Sequence, residues 1–129
     1  MIVKLRQHKT STNKLVLLGR SADTNEELIK QAQKNEILLH TVTPGSPFAN
    51  IKALESEVVK SEIYEAAVMC AKYSQDWRDN KKDVKIHVFT GADVSKTPGM
   101  SNGTFGVKKY KEVVAKKEDI IKFERTVQK

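Results

Sequence analysis

The sequence has few of the residues that cross-link small proteins or anchor them in membranes. Its single cysteine, Cys70, excludes an internal disulfide and agrees with a reducing compartment. The longest apolar runs, at residues 15–18 and 66–71, are too short to cross a bilayer, and the N-terminus has no signal-peptide core with a small-residue cleavage site. We therefore expect a cytoplasmic protein that makes no use of a membrane.

Patterns typical of metal, nucleotide and nucleophile sites are also missing. The three histidines, His8, His40 and His87, lie far apart and have neither cysteine partners nor HExxH spacing. The glycines between residues 99 and 106 are not followed by the Lys-Ser/Thr pair of a phosphate loop, and Ser46 lacks the Gly-x-Ser-x-Gly pattern of a nucleophile elbow. We expect no metal, no cofactor and no catalytic residue, and hence a protein that is not an enzyme.

The length and composition that remain are those of one folded unit. A chain of 129 residues can bury a single hydrophobic core without help from disulfides or metals. Hydrophobic residues make up 39% and charged residues 30%, which stays short of the composition of unfolded chains. Since no repeat, linker or low-complexity tract divides the sequence, residues 1–129 are interpreted as a single domain.

Positive charge is abundant and unevenly spread. The formal net charge is +7, and residues 81–117 hold nine lysines against three acidic residues. Clustered lysine is typical of proteins that bind polyanions, because each neutralised phosphate releases condensed counterions. A solvated surface explains a charge excess equally well. The charge therefore makes nucleic acid a candidate ligand without requiring it.

Hydrophobic periodicity predicts an α+β fold. Apolar residues at 2–5 and 15–18 predict two strands joined by a polar turn. A narrow apolar stripe predicts a surface helix that Asp23 or Thr24 caps and that extends through Gln33. Further predicted strands cover residues 36–42 and 84–90, and residues 48–51 resume an apolar segment after a turn with two prolines. Residues 104–108 with 112–116 resemble a hairpin.

Two more helices complete this prediction. Ser61 is the expected N-cap of the strongest helical pattern, whose apolar face continues to Trp77, and residues 118–127 have the spacing of a C-terminal helix. The sum is a single α+β domain with a mostly antiparallel sheet and packed helices.

Four short motifs occur in an order and spacing that resemble one known family. They are Gly-Arg-Ser-Ala at 19–22 with Asn25 and Leu28, Leu-Leu-His at 38–40 with Pro-Gly-Ser at 44–46, Glu-Ala-Ala at 65–67 with Tyr-Ser at 73–74, and Val94 with Lys96 and Gly99. This order resembles the RNA-binding module at the C-terminal end of the NFACT proteins, a group that includes ribosome quality-control factors and the so-called fibronectin-binding protein A family. Ser21, Leu38 and Pro47 replace the asparagine, aromatic residue and histidine usual there.

The resemblance implies nucleic-acid binding, with RNA favoured, at one surface. That surface would gather Arg20, His40, Ser46, Glu65 and Lys96. Arg20 and Lys96 would meet phosphate, while His40 and Ser46 would hydrogen-bond a base or a ribose 2′-hydroxyl. Simpler roles stay open, since Arg20 can pair with Glu65 and His40 can satisfy backbone carbonyls.

The basic segment near the C-terminus adds a second group of candidate RNA-binding residues. Tyr110 lies between Lys108, Lys109 and Lys111, so its ring can stack on a base while its neighbours hold phosphates. A basic hairpin from 108 to 117 would then supply affinity.

The leading hypothesis is a module that binds tRNA or ribosomal RNA in translation, ribosome quality control or RNA modification, with the ribosome as a possible partner. One alternative is a small enzyme of RNA metabolism that uses His40 and Glu65 as an acid/base pair. Another is an adaptor that docks on proteins of the translation machinery through its C-terminal helix. DNA stays an alternative ligand, and the sequence leaves the oligomeric state open.

Overall fold

A computed structural model of the chain describes residues 5–127, so Ile2 and Val3 of the first expected strand lie outside the described residues. Within this range the strands are β1 (Arg6–Lys9), β2 (Leu15–Leu18), β3 (Glu36–Thr41), β4 (Ala49–Leu54), β5 (Val84–Thr90), β6 (Val94–Ser95), β7 (Gly106–Val107) and β8 (Lys111–Ala115). The α-helices are α1 (Ala22–Gln31), α2 (Lys60–Lys72), α3 (Gln75–Asn80) and α4 (Lys117–Val127), and short 3-10 turns cover Glu55–Glu57 and Gly91–Asp93.

Six strands form one antiparallel sheet in the order β1-β2-β4-β3-β5-β8, and β6 pairs with β7 in a separate two-stranded sheet. This architecture confirms the α+β fold with a mostly antiparallel sheet. No helix in residues 5–127 has the length and apolar character that a membrane span needs.

One side of the large sheet, called the closed face, carries the main core. Alternate residues of a strand point to opposite faces, and Ile37 and Leu39 of β3 join the cluster beneath α2. Ala67 and Ala71 of α2 are fully buried there, and their small side chains let the helix approach the sheet closely. Helix α4 packs beside α2 and buries Ile120 in the same cluster.

The other side, called the open face, has a smaller core and is covered only in part. Leu28 of α1 packs with Leu38, Phe48 and Phe89. Farther along the sheet, where β5 pairs with β8, Lys85 is exposed on this face and faces Val114 across the two strands. The open face therefore keeps an accessible strip along β5 and β8, at one edge of the sheet.

Helix α1 begins and ends earlier than expected, because polar side chains decide both ends. Ser21, not Asp23 or Thr24, is the N-cap: the Ser21 hydroxyl accepts from Thr24 N, and Thr24 Oγ1 accepts from Ser21 N in return. At the other end Gln33 N donates to Glu36 Oε1 at 2.9 Å, which takes Gln33 out of the helix.

The long helix expected to run from Ser61 to Trp77 is two helices. Helix α2 begins one residue before Ser61, where the Glu62 carboxylate accepts from Val59 N at 2.9 Å. It ends at Lys72, because Ser74 Oγ accepts from Trp77 N at 3.1 Å and caps α3. The apolar spacing continued through this break because both helices bury side chains in the same core.

The expected hairpin of residues 104–108 with 112–116 is wrong. β7 pairs with β6, with Val107 opposite Val94, whereas β8 pairs with β5, with Ala115 opposite Val84. Lys108 N donates to Asp93 O at 2.8 Å and keeps the end of β7 on the small sheet. The basic residues between β7 and β8 therefore lie on a connection between two sheets.

Candidate nucleic-acid interface

A cleft of about 660 Å³ lies where β2 and β3 end, and it extends onto the open face. Its walls come from the start of α1, the turn that joins β3 to β4, the α2–α3 junction and the segment that leads into β7. Charged and aromatic side chains dominate these walls: Arg6, Arg20, His40, Phe48, Tyr73, Arg78, His87, Phe89 and Phe105. No acidic residue lines the cleft in the part of the chain that the structure describes.

Three arginines meet at one end of the cleft. Arg6 Nη1 donates to Gly19 O at 2.8 Å, and its guanidinium lies 4.2 Å from the centre of the Tyr73 ring. Burial lowers the pKa of Arg6, and the positive charges of Arg20 and Arg78 lower it further while Tyr73 opposes them. Guanidinium groups without carboxylate partners favour the approach of an anion with several oxygen acceptors.

Gly19 and Asn25 fix the position of Arg20 at the cleft rim. Asn25 Oδ1 accepts from Phe48 N at 3.0 Å, and Gly19 N donates to Phe48 O at 3.1 Å. A Cβ atom on Gly19 would lie 1.9 Å from Asn25 Oδ1, so only glycine fits there. The glycine and asparagine of this motif are therefore structural, and they join the end of β2 to α1 and β4.

His40 lines the cleft as expected, and its surroundings define its protonation. Its Nδ1 lies 2.8 Å from Thr41 O, so this nitrogen carries the hydrogen and donates it. Burial is the main cause that lowers the pKa of His40, with a further contribution from His87. The ring packs 4.4 Å from the Phe48 ring. Although hydrogen bonding to the backbone of Thr41 and Ser46 opposes the shift, the lowered pKa favours the neutral form of the His40 imidazole.

Ser46 also lines the cleft, but its hydroxyl is used within the turn. Ser46 Oγ accepts from Thr41 N at 3.2 Å and donates to Pro47 O at 3.1 Å. The preceding Gly45 has a φ of +94°, which favours glycine, and its carbonyl accepts from Gln75 N at 2.8 Å. Ser46 therefore stabilises the cleft wall.

Lys96 lies outside the cleft and fastens one of its walls. Its Nζ pairs with Glu26 Oε2 at 2.8 Å and donates to the carbonyls of Ser101 and Thr104 at 2.6 and 2.9 Å. The hydrogen bond from Lys96 is the main cause that lowers the pKa of Glu26. Lys96 thus holds the segment before β7 against α1, where the resemblance implied a phosphate contact.

Glu65 is not part of this site. It lies on α2, across the sheet from the open face, and its carboxylate accepts from Ser11 N at 2.8 Å and Ser11 Oγ at 3.1 Å. The structure therefore pairs neither Arg20 nor His40 with Glu65, which removes the geometry that an acid/base pair of His40 and Glu65 requires. Within residues 5–127 no three potential metal ligands come together.

The basic segment before β8 lies beside the cleft. Lys108, Lys109 and Lys111 are exposed, and none of them pairs with an acid within the described range. The Tyr110 ring packs on His87 with centroids 4.0 Å apart and planes inclined by 33°. Because His87 lines the cleft, Tyr110 extends its aromatic wall.

Sequence reasoning missed several cleft residues. Arg6, Tyr73 and Arg78 come from β1, the end of α2 and α3, and no local pattern relates these positions. His87 carried a usable signal, since the alternation of β5 placed it on the wet side of a half-buried strand. Phe105 also lines the cleft, where its ring centre lies 5.4 Å from that of Phe48.

Residues 4–109 match the family model of the NFACT protein RNA binding domain. The chain belongs to this family. Membership confirms the resemblance and the interpretation as an RNA-binding domain. The match covers β1 to the end of β7, and so it contains every arginine of the cleft.

Two related proteins place this NFACT RNA-binding domain in context. It is 31% identical over 84 residues to the archaeal Rqc2 homolog aRqcH of Methanocaldococcus jannaschii. The aligned region covers 64% of this chain and 12% of that protein. The C-terminal structure of the fibronectin/fibrinogen-binding protein from Streptococcus suis has the same fold, with a TM-score of 0.82 and 19% identity over 95% of this chain and 49% of that one. The domain therefore spans a small part of the first relative and about half of the second.

Proposed function

We propose that this NFACT RNA-binding domain binds tRNA or ribosomal RNA through the cleft and acts as a binding module of ribosome quality control. The observation that carries the proposal is the meeting of Arg6, Arg20 and Arg78 in a cleft lined by no acid within the described residues. Arginine matches phosphate with two parallel hydrogen bonds, so such a group selects a polyanion over a neutral ligand.

The surroundings of the arginines support RNA as the polyanion. Lys108 and Lys109 lie on the connection that carries Tyr110 to the cleft, and Lys111 begins β8. None of these lysines pairs with an acid within residues 5–127, and their charge attracts phosphates before contact is made. The neutral His40 and the aromatic rings offer a base both an acceptor and flat apolar surfaces. The relationship to an archaeal Rqc2 homolog supports the ribosomal setting.

The proposal is one of binding without catalysis. The acid/base alternative needed His40 and Glu65 around one cleft, and Glu65 instead holds the β1–β2 turn through Ser11. The remaining histidine of the cleft, His87, packs on Tyr110.

Fluorescence anisotropy tests this function. The purified domain is titrated against labelled tRNA, an unstructured RNA and duplex DNA of matched length at two salt concentrations. Arg20→Ala and Arg78→Ala should each weaken tRNA binding by about tenfold or more, because a hydrogen bond to a charged group contributes about 1.5–3 kcal/mol. Each should also reduce the slope of log affinity against log salt by about 1.

Lys122→Ala is the matched control, since it removes an exposed positive charge from α4, away from the cleft. It should leave both affinity and salt slope nearly unchanged. Equal losses in all three variants, or equal and salt-erased binding of all three nucleic acids, would reduce the cleft to an unspecific basic surface and favour the adaptor hypothesis.

A further inference from the structure

The strip of the open face beside the cleft is built differently from the rest of the sheet. His87 on β5 and Val114 on β8 are half-buried, and the residues opposite them across the two strands, Glu112 and Lys85, are exposed. On the closed face the same two strands bury Val84, Ile86 and Ala115. A sheet surface that is left partly apolar and uncovered, next to a cationic cleft, is available to a flat ligand.

Tyr110 is the most prominent side chain of this strip. It is 55% exposed although one face of its ring packs on His87 at 4.0 Å. The opposite ring face is therefore turned to solvent. Since His87 also lines the cleft, the Tyr110 ring adjoins the cleft that holds Arg20 and Arg78.

We propose that the cleft and this strip together bind an unpaired segment of RNA, with backbone phosphates at Arg20 and Arg78 and a base stacked on Tyr110. The proposal rests on the proposed function and adds the form of RNA that the site accepts. Inside a duplex both faces of a base are covered by its stacked neighbours, so an aromatic side chain stacks only on a base that is splayed out.

The size of the cleft supports the same conclusion. At about 660 Å³ it falls within the range of about 300–1,000 Å³ that encloses small ligands. It is a concave site for one or a few nucleotides, whereas the flank of a helix needs a long, shallow contact surface. The half-buried rings of His40 and Phe105, which pack on the buried Phe48, suit a base better than a phosphate ridge.

Three labelled RNAs with matched numbers of phosphates test the inference by anisotropy: a blunt duplex, a duplex with a 3′ overhang, and a hairpin with an unpaired loop. We expect the RNA with the overhang or the hairpin with the loop to bind more tightly than the blunt duplex. Comparing the affinities of the overhang RNA and the hairpin shows whether the site prefers a chain end or an internal loop. A 2-aminopurine base in the preferred unpaired segment should lose fluorescence on binding as it stacks.

Substitutions at and beside Tyr110 separate stacking from charge. Tyr110→Ala should weaken binding of the preferred unpaired RNA by about 5- to 150-fold, the range for loss of one base–aromatic stack, and leave the blunt duplex unchanged. Tyr110→Phe should bind as the parent protein does. Lys109→Ala, which removes a neighbouring exposed charge, should weaken both RNAs equally.

The inference is overturned if the blunt duplex binds as tightly as the RNAs with an unpaired segment. It is also overturned if Tyr110→Ala weakens binding of the duplex and of these RNAs by the same factor, or weakens neither. In that case the proposed function still stands as long as Arg20→Ala and Arg78→Ala weaken tRNA binding. If no RNA binds even at low salt, both proposals fail.

Discussion

The two faces of the sheet divide the work of the molecule, and neighbouring residues of one strand show how. On the closed face Leu39 is fully buried beneath α2. The next residue, His40, points to the open face, where it packs on Phe48 and lines the cleft. The closed face is mostly apolar and brings only its edge, with Arg6, to the cleft, whereas the open face keeps polar groups such as His40 at hand for a ligand beside a smaller core. Stability and binding are therefore separable by substitution, although β3 serves both.

Leu39→Ala should give the largest effect and act on stability. The loss of a fully buried leucine costs about 2–5 kcal/mol of unfolding free energy, through lost burial and the cavity left behind. Urea denaturation followed by circular dichroism measures it. Leu17→Ala, at a half-buried position of the open face, is the control and should cost less. Equal costs would contradict the contrast between the faces.

Asn25→Ala should come next, because it removes a buried link on the open face. Phe48 N would lose its acceptor, Asn25 Oδ1, and an unsatisfied buried donor costs about 1–3 kcal/mol. Thermal denaturation of this variant and of Asn102→Ala, an exposed asparagine bonded to Asp23, measures the difference. A larger loss at Asn102 would show that the Asn25 link contributes little.

Lys96→Met should have a smaller effect on stability and a measurable effect on the affinity for RNA. The ion pair with Glu26 is partly exposed, so its loss should cost about 1 kcal/mol or less. The cleft wall from Asn102 to Phe105 should loosen, since Lys96 holds the carbonyls of Ser101 and Thr104. Amide hydrogen exchange across residues 101–105 should become faster in this variant. If Lys96 instead contacts phosphate directly, the substitution would change the slope of log affinity against log salt and leave the exchange rates unchanged.

Mild acidification should produce the smallest effect. The pKa values of His8 and His40 are both lowered, mainly by burial, from an ordinary value of 6.5. Between the lowered values and about 6.5 the unfolded chain binds more protons than the folded one, so stability falls as the pH drops through that window. Unfolding free energies measured across it should fall less steeply in His8→Gln and His40→Gln. Unchanged slopes in both variants would mean that these rings protonate without unfolding the protein.

The sequence predicted elements well wherever the pattern is local. The alternation of apolar residues in 84–90 predicted β5 with the bounds it has, because half-buried strands repeat every two residues. The hairpin failed because residues 104–108 and 112–116 each favour a strand, while the choice of partner depends on distant segments, β6 and β5.

The candidate site was predicted only where a motif carried it. Arg20, His40 and Ser46 do line the cleft, whereas Glu65 shares their motif set but belongs to the other side of the sheet. Arg6 and Arg78 were out of reach, since they approach Arg20 only after β1 and α3 have folded around Tyr73.

The connection between Thr90 and Lys111 leaves the large sheet, builds β6 and β7, and returns to place β8 beside β5. Its two ends are fixed by that pairing, while what lies between them forms a wall of the cleft and little of the main core. Changes in this segment can therefore reshape the cleft while the main core stays in place, provided that Val94, Phe105 and Val107 still pack on the smaller core. Among related domains, differences in ligand preference should therefore be concentrated in this segment. A library designed to redirect the domain to a new ligand should randomise residues of the same segment.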